Sequence, residues 1–175
     1  MNFFIRKRKS GLLAVEHGYF VEKWSVIKFK NAEKRIQNRP YDILEAICER
    51  GINCLLNGGI TEMWNIIIGD SADTFAEANA EIGVGNDNTA AAAAQDDLIS
   101  VTAEWVAMDA GYPTVAAQTV TFSGTFIDGA GEYDWNECAV RNGAVAPILM
   151  NRVVAAKGTK AAGEEWVARL AITLS

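Results

Sequence analysis

Residues 119–126, TVTFSGTF, alternate apolar and polar side chains: Val120, Phe122, Gly124 and Phe126 against Thr119, Thr121, Ser123 and Thr125. Successive side chains of a strand point to opposite faces, so this stretch has one core face and one solvated face. Downstream, Asp128-Gly129-Ala130-Gly131 turns the chain and Tyr133–Glu137 opens another strand. Asn142-Gly143 and Lys157-Gly158-Thr159-Lys160 mark turns on either side of Ile148–Val154. The last stretch sets Trp166, Ala168, Leu170, Ile172 and Leu174 on one side. Upstream, Ala80–Gly85 reads as a short strand, and Val101–Ala107 alternates with its odd positions apolar. Strand signals separated by turns every ~10–15 residues predict an antiparallel β-sandwich or barrel rather than a βαβ fold. The expected core is Ile82, Val84, Trp105, Val120, Phe122, Phe126, Trp135, Leu170 and Ile172.

The first part of the chain reads differently. Leu12–Val15 and Tyr19–Phe29 predict a β-hairpin turning near His17-Gly18. Residues 31–40 read as a linker or a short turn of helix. Tyr41–Leu56 carries apolar residues at mixed spacings of three and four, with Asp42 and Glu45 early, which predicts helix. Asn57-Gly58-Gly59 stops it, and Ile60–Ile68 predicts a second short helix covering one side of the β core. The expectation is mainly β, with one or two short helices and an N-terminal extended or hairpin arm. Residues 1–40 would be a basic arm, 41–74 a helical connector and 75–175 the sandwich body.

The 175 residues are 50% hydrophobic and include five Trp, seven Phe and four Tyr, which excludes a disordered chain. No apolar run reaches the roughly 20 residues of a membrane-spanning helix, and Leu12–Val15 is too short for a signal-peptide core. A soluble protein not exported by the standard secretory route is expected. The three Cys, at 48, 54 and 138, form no CxxC and read as buried thiols.

Charge is divided along the chain. Residues 1–50 hold eleven Lys and Arg against six Asp and Glu, a net of +5; residues 51–175 hold five against sixteen, a net of −11. A basic arm on an acidic body points to docking on something negative, either nucleic acid or the acidic face of a neighbouring subunit. Arg6, Lys7, Arg8 and Lys9 are consecutive cations, and Phe3, Phe4 and Trp24 are aromatics of the same arm. These seven residues are the expected partner-binding set. Aromatics among the cations suit a protein groove better than a phosphate track, so nucleic acid is the less favoured partner.

Motifs for chemistry are sparse. Gly83-x-Gly85 lacks the third glycine of a nucleotide loop, and Gly158-Thr159-Lys160 inverts the phosphate-loop order. The sole His, His17, permits no HExxH, and GxSxG is absent. Asp96-Asp97 and Glu132/Asp134/Glu137 are the only carboxylate sets worth weighing as acid–base pairs. Solvated turn charge is the simpler reading of them. Asp87, between Asn86 and Asn88, offers oxygens for Ca²⁺ but without EF-hand spacing. Trp135 and Glu137, two apart, are expected on one strand face, either as a buried group held by a partner such as Arg152 or as a sugar platform.

Several fragments in order carry a resemblance: NGGITEMWNIIIGDS at 57–71, FAEANAEIGVG at 75–85, VAMDAGYP at 106–113, Thr121-Phe122, YDWNE at 133–137, Met150-Asn151-Arg152, Lys157–Lys160, and Trp166 with the terminal AITLS. In this order and spacing the set resembles a family of small structural proteins of tailed bacteriophages, over about residues 50–175. The resemblance implies a virion protein of head-decoration or minor-tail type. It implies no cofactor and no catalytic residues, and no metal site is expected. The expected function is therefore non-enzymatic: a capsid-decoration, cement or neck/tail surface component of the virion. It would form a homo-oligomer and contact other virion proteins, among them major capsid, neck or tail subunits, with no membrane contact. The alternative is a module of a tail or fibre that binds host-surface glycan through Trp and Tyr platforms.

Overall fold

A computed structural model describes residues 4–9, 12–17, 20–48, 53–143 and 145–174, with side chains described from Glu22 to Leu44 and, apart from 144, from Leu55 to Leu174. The strands are β1 (Phe4–Lys9), β2 (Leu12–His17), β3 (Phe20–Phe29), β4 (Asp42–Cys48), β5 (Asn53–Leu55), β6 (Glu81–Gly85), β7 (Glu104–Ala107), β8 (Thr114–Ala116), β9 (Thr119–Phe126), β10 (Asp134–Arg141), β11 (Leu149–Thr159) and β12 (Glu165–Leu174). Two helices, α1 (Ala32–Ile36) and α2 (Asn57–Ile68), complete the described elements. Two five-stranded antiparallel sheets, ordered β5-β11-β10-β6-β7 and β4-β3-β12-β9-β8, pack face to face. The fold is mainly β and sandwich-like, as the alternation at 119–126 predicts.

The core lies between the sheets. Phe122, Phe126, Leu170 and Ile172 from one sheet meet Ile82, Val84, Trp135 and Val153 from the other, all at most 4% exposed. Trp135 stacks edge-on against both Phe126 (4.7 Å) and Trp166 (4.9 Å). Gly124 is required where the sheets approach closely, because a Cβ there would collide with Ile82. Val120 is half-buried against the same core. The final strand follows its predicted pattern from Trp166 to Ile172, whereas Leu174 is 53% exposed.

Several expectations are corrected. Leu12–His17 pairs with β1, not with β3. β3 instead lies between β12 and β4, and all ten of its residues are in register with β12, from Phe20 opposite Leu174 to Phe29 opposite Glu165. Ten paired positions with Trp24 and Val26 in the core outweigh a local hairpin. The helix predicted over Tyr41–Leu56 gives way, among the described residues, to strands: Asp42–Cys48 edges β3, and Asn53–Leu55 edges β11. Asp42, expected to complement a helix dipole, faces Lys28 across the strands at 3.2 Å. The segment's Ile and Leu fit either period, and pairing with β3 decides. Residues 20–48 thus belong to the sandwich, so the body does not begin at residue 75. In β7 the faces are exchanged: Val106 packs on the main core, and Trp105 joins an outer cluster with Leu56, Leu98, Ala139 and Leu149. The strand itself starts only at Glu104, and Val101 is fully exposed. Cys138 is buried in the core, while the Cys48 and Cys54 side chains lie outside the described residues.

Candidate interaction surfaces

Four of the seven expected partner-binding residues are the cations of β1, whose register with β2 sets Arg6 opposite Val15, Lys7 opposite Ala14, Arg8 opposite Leu13 and Lys9 opposite Leu12. Phe4 pairs with His17 in the same ribbon. The side chains of these five, and the whole of Phe3, lie outside the described residues. The ribbon is a sheet of its own: among the described residues neither β1 nor β2 pairs with a strand of the larger sheets. Trp24 is a correction. It is 0% exposed in the main core, between register partners Leu170 and Ala46, and is unavailable to a partner.

The rest of the basic segment is tied to the body. Lys28 lies over the Trp166 ring at 4.4 Å, and Lys30 pairs with Glu164 at 3.0 Å. Arg35 is bonded to Glu165. Glu164 also accepts from the Tyr41 hydroxyl (3.0 Å) and the Trp166 indole N–H (3.1 Å). Burial pushes the Glu164 carboxyl up, but Lys30, the Ala161 N–H and Tyr41 together hold it below the usual carboxylate range. Burial, with Glu164 adding to it, pushes the Tyr41 phenol up to about 12. Lys28, Lys30 and Arg35 therefore satisfy acids of the body.

The long connection 86–103 crosses the outer face of the β10–β11 sheet on a buried ion pair. Arg152 Nε donates to Glu137 at 2.6 Å, and both side chains are 0% exposed. Glu137 accepts from the Ser100 N–H (2.7 Å) and the Ile99 N–H (3.2 Å). Arg152 Nη1 donates to the Thr89 carbonyl (2.9 Å) and to Gln95 (3.1 Å). The Arg152 partnership is the one expected, but Trp135 and Glu137 do not share a face. A register shift between them turns Trp135, Cys138 and Val140 inward and Glu137 and Ala139 outward. The carboxylates weighed as an acid–base set are engaged separately: Glu132 accepts from Gly129 N–H and Asp134 from the Thr159 hydroxyl. Asp87 sits 3.8 Å from Arg152 Nη2, and its bonds from Thr89 hold its carboxyl low. A guanidinium at that distance is a poor setting for Ca²⁺. Among the described residues no three His, Cys, Asp or Glu gather as a metal site.

Glu22 is a second buried acid. It is 3% exposed, faces the space between the sheets, and accepts from Asn151 Nδ2 at 3.0 Å. Its other oxygen has no hydrogen-bond partner among the described residues. Burial pushes its pKa up to about 7, with the Asn151 bond pulling the other way. The folded form thus holds a proton that the unfolded chain releases near the ordinary carboxyl value of 4.5. Stability contributed at this site is full below pH ~4.5 and is lost as pH rises towards ~7, a difference of order 3 kcal/mol. Denaturant midpoints measured from pH 4.5 to 7.5 are expected to lose this component in Glu22→Gln, and the variant should be the more stable form at pH 7.5.

The surface that sequence reading missed is on α2. Ile60, Met63, Trp64, Ile67 and Ile68 fall at i, i+3, i+4, i+7 and i+8, the stripe a surface helix normally buries. Here Trp64, Ile67 and Ile68 are 58%, 67% and 72% exposed. The helix seats on the body through Gly59, where a Cβ would meet the Met150 backbone, and through Glu62, 4% exposed and bonded by Ser71. The stripe's Met63 continues into an apolar groove of 240 Å³ walled by Val115, Val120, Met150, Ile172 and Leu174. The periodicity was visible in the sequence, and so was the lone charge at Glu62, but neither tells which side faces in. No helix among the described residues is long and apolar enough to cross a membrane. Comparisons of the chain with protein-family models, with characterised proteins and with solved structures find no match.

Proposed function

We propose that this protein is a non-enzymatic structural component of a tailed-phage virion, a capsid-decoration or neck/tail surface protein anchored by its N-terminal ribbon to other virion proteins. The observation that carries the reading is the ribbon itself. It is a separate two-stranded sheet bearing Arg6–Lys9, joined to a body whose residues 51–175 have a net charge of −11. A lone two-stranded ribbon is marginal in water and gains stability from a surface to lie on. The ordered resemblance of residues 50–175 to phage structural proteins supplies the setting. The glycan-binding reading finds fewer platforms: Trp24, Trp135 and Trp166 are at most 1% exposed and Trp105 is stacked under Arg141 at 4.0 Å, which leaves Trp64 and Tyr41 as the exposed Trp and Tyr rings among the described residues, set on α2 and just before β4.

The test is attachment to particles lacking the protein. A chain without residues 1–17 should fail to bind, and one that incorporates normally would overturn the anchoring. The salt response identifies the partner. A protein groove screens gradually, whereas nucleic acid releases condensed counterions at about 0.9 log units per phosphate contact. We expect a log–log slope below about 1, and a larger loss from Phe3→Ala with Phe4→Ala than from neutralising Arg6–Lys9. A slope of several units would point to the genome instead.

A further inference from the structure

We infer that the α2 stripe is a self-association surface, covered in solution by the same stripe of a second copy of this chain. The argument stands on the helix face alone and holds wherever the protein resides. Its first part is area. Trp64, Ile67, Ile68, Val115 and Leu174 are all 53–77% exposed, and Met63 joins the helix stripe to the groove that Val115 and Leu174 wall. Together these residues present roughly 600 Å² of accessible surface, backbone included, in the size range of the largest patch of a monomer. With its polar margin this approaches the ~800 Å² that each partner of a stable dimer buries.

The second part is charge. Copies of a body this acidic repel one another unless they meet through a neutral face. α2 has one charged residue, Glu62, and it is turned inward and buried. Among the described residues, those lining the groove include no acid or base. The neutral face therefore offers nothing to a charged partner, and it is complementary to itself. A two-fold axis would set Trp64 and Ile68 of one copy against those of the other. This is an isologous, closed contact, consistent with helix-on-helix packing. The orientation of α2 supports the same reading. Gly59 and Glu62 seat it with Trp64, Ile67 and Ile68 outward, an arrangement that is unfavourable in an isolated subunit.

Sedimentation equilibrium of the full-length chain, from micromolar to several hundred micromolar, tests this. The wild type should associate reversibly to twice its 19.0 kDa mass. Trp64→Lys with Ile68→Lys should lower the association constant at least about 100-fold, because four ammonium groups would be desolvated at the contact. Both positions are exposed, so the far-UV circular dichroism of the variant should match the wild type. Val101→Lys, on a fully exposed residue of the 86–103 connection, should associate as the wild type does. A wild type that stays at 19.0 kDa throughout would overturn the inference. So would a double variant that dimerises normally, or a Val101→Lys that dissociates equally.

Discussion

Arg152→Met should cost about 3–5 kcal/mol of stability, because it leaves the Glu137 carboxylate buried without its counter-charge. The guanidinium and the carboxylate are both 0% exposed, so no water replaces the lost partner. The effect should spread to the connection above. Residues 86–103 are held by the Arg152 bonds to Thr89 and Gln95 and by the Glu137 bonds from Ile99 and Ser100. Limited proteolysis of the variant should therefore cut first near Ala90–Ala94, at a rate well above wild type. Adding Glu137→Gln should recover part of the loss, since a neutral amide can still accept from one N–H without a buried charge. A single variant within 1 kcal/mol of wild type in urea unfolding would show that the pair does not organise this face.

Phe122→Ala should cost about 3–5 kcal/mol as well, through a different mechanism. Phe122 is 1% exposed, opposite Leu170 in register, and its ring fills the space between the sheets. Its removal leaves a cavity that strands fixed on both sides cannot close, since β9 is held by β12 and β8. The half-buried Val120 on the same strand sets the comparison: Val120→Ala should cost clearly less. Urea midpoints should shift while the slope stays constant, as expected for a change in stability rather than in compactness.

The parts of the fold that were legible share one property: their local pattern and their tertiary environment agree. Thr119–Phe126 alternates in sequence and lies between two strands with one face in the core. Residues 166–172 likewise lie between two strands, with Trp166, Ala168, Leu170 and Ile172 on the core face. The Glu137–Arg152 partnership could be anticipated because a carboxylate on an apolar strand needs a cation, and Arg152 lies on the following strand. The face on which they meet could not, because the register shift in β10 reverses the parity that a two-residue spacing implies. Tyr41–Leu56 misled because Ile and Leu at mixed spacings satisfy both periods. Its strand is selected by β3, whose own position depends on β12, more than a hundred residues away. Trp24 illustrates the same dependence. Beside Lys23 it reads as part of a basic arm, yet pairing with Leu170 places it in the core. The α2 stripe was legible as a periodicity but not as a surface, since which face seats on the body depends on the close approach at Gly59.

The proposed virion role is tested most directly by electron microscopy of purified virus particles from cells that make the chain. The account predicts density for a two-sheet sandwich on the outside of the head, neck or tail, with residues 4–17 extended onto a neighbouring subunit. Absence of the chain from purified particles, or its location inside the head against the genome, would contradict it.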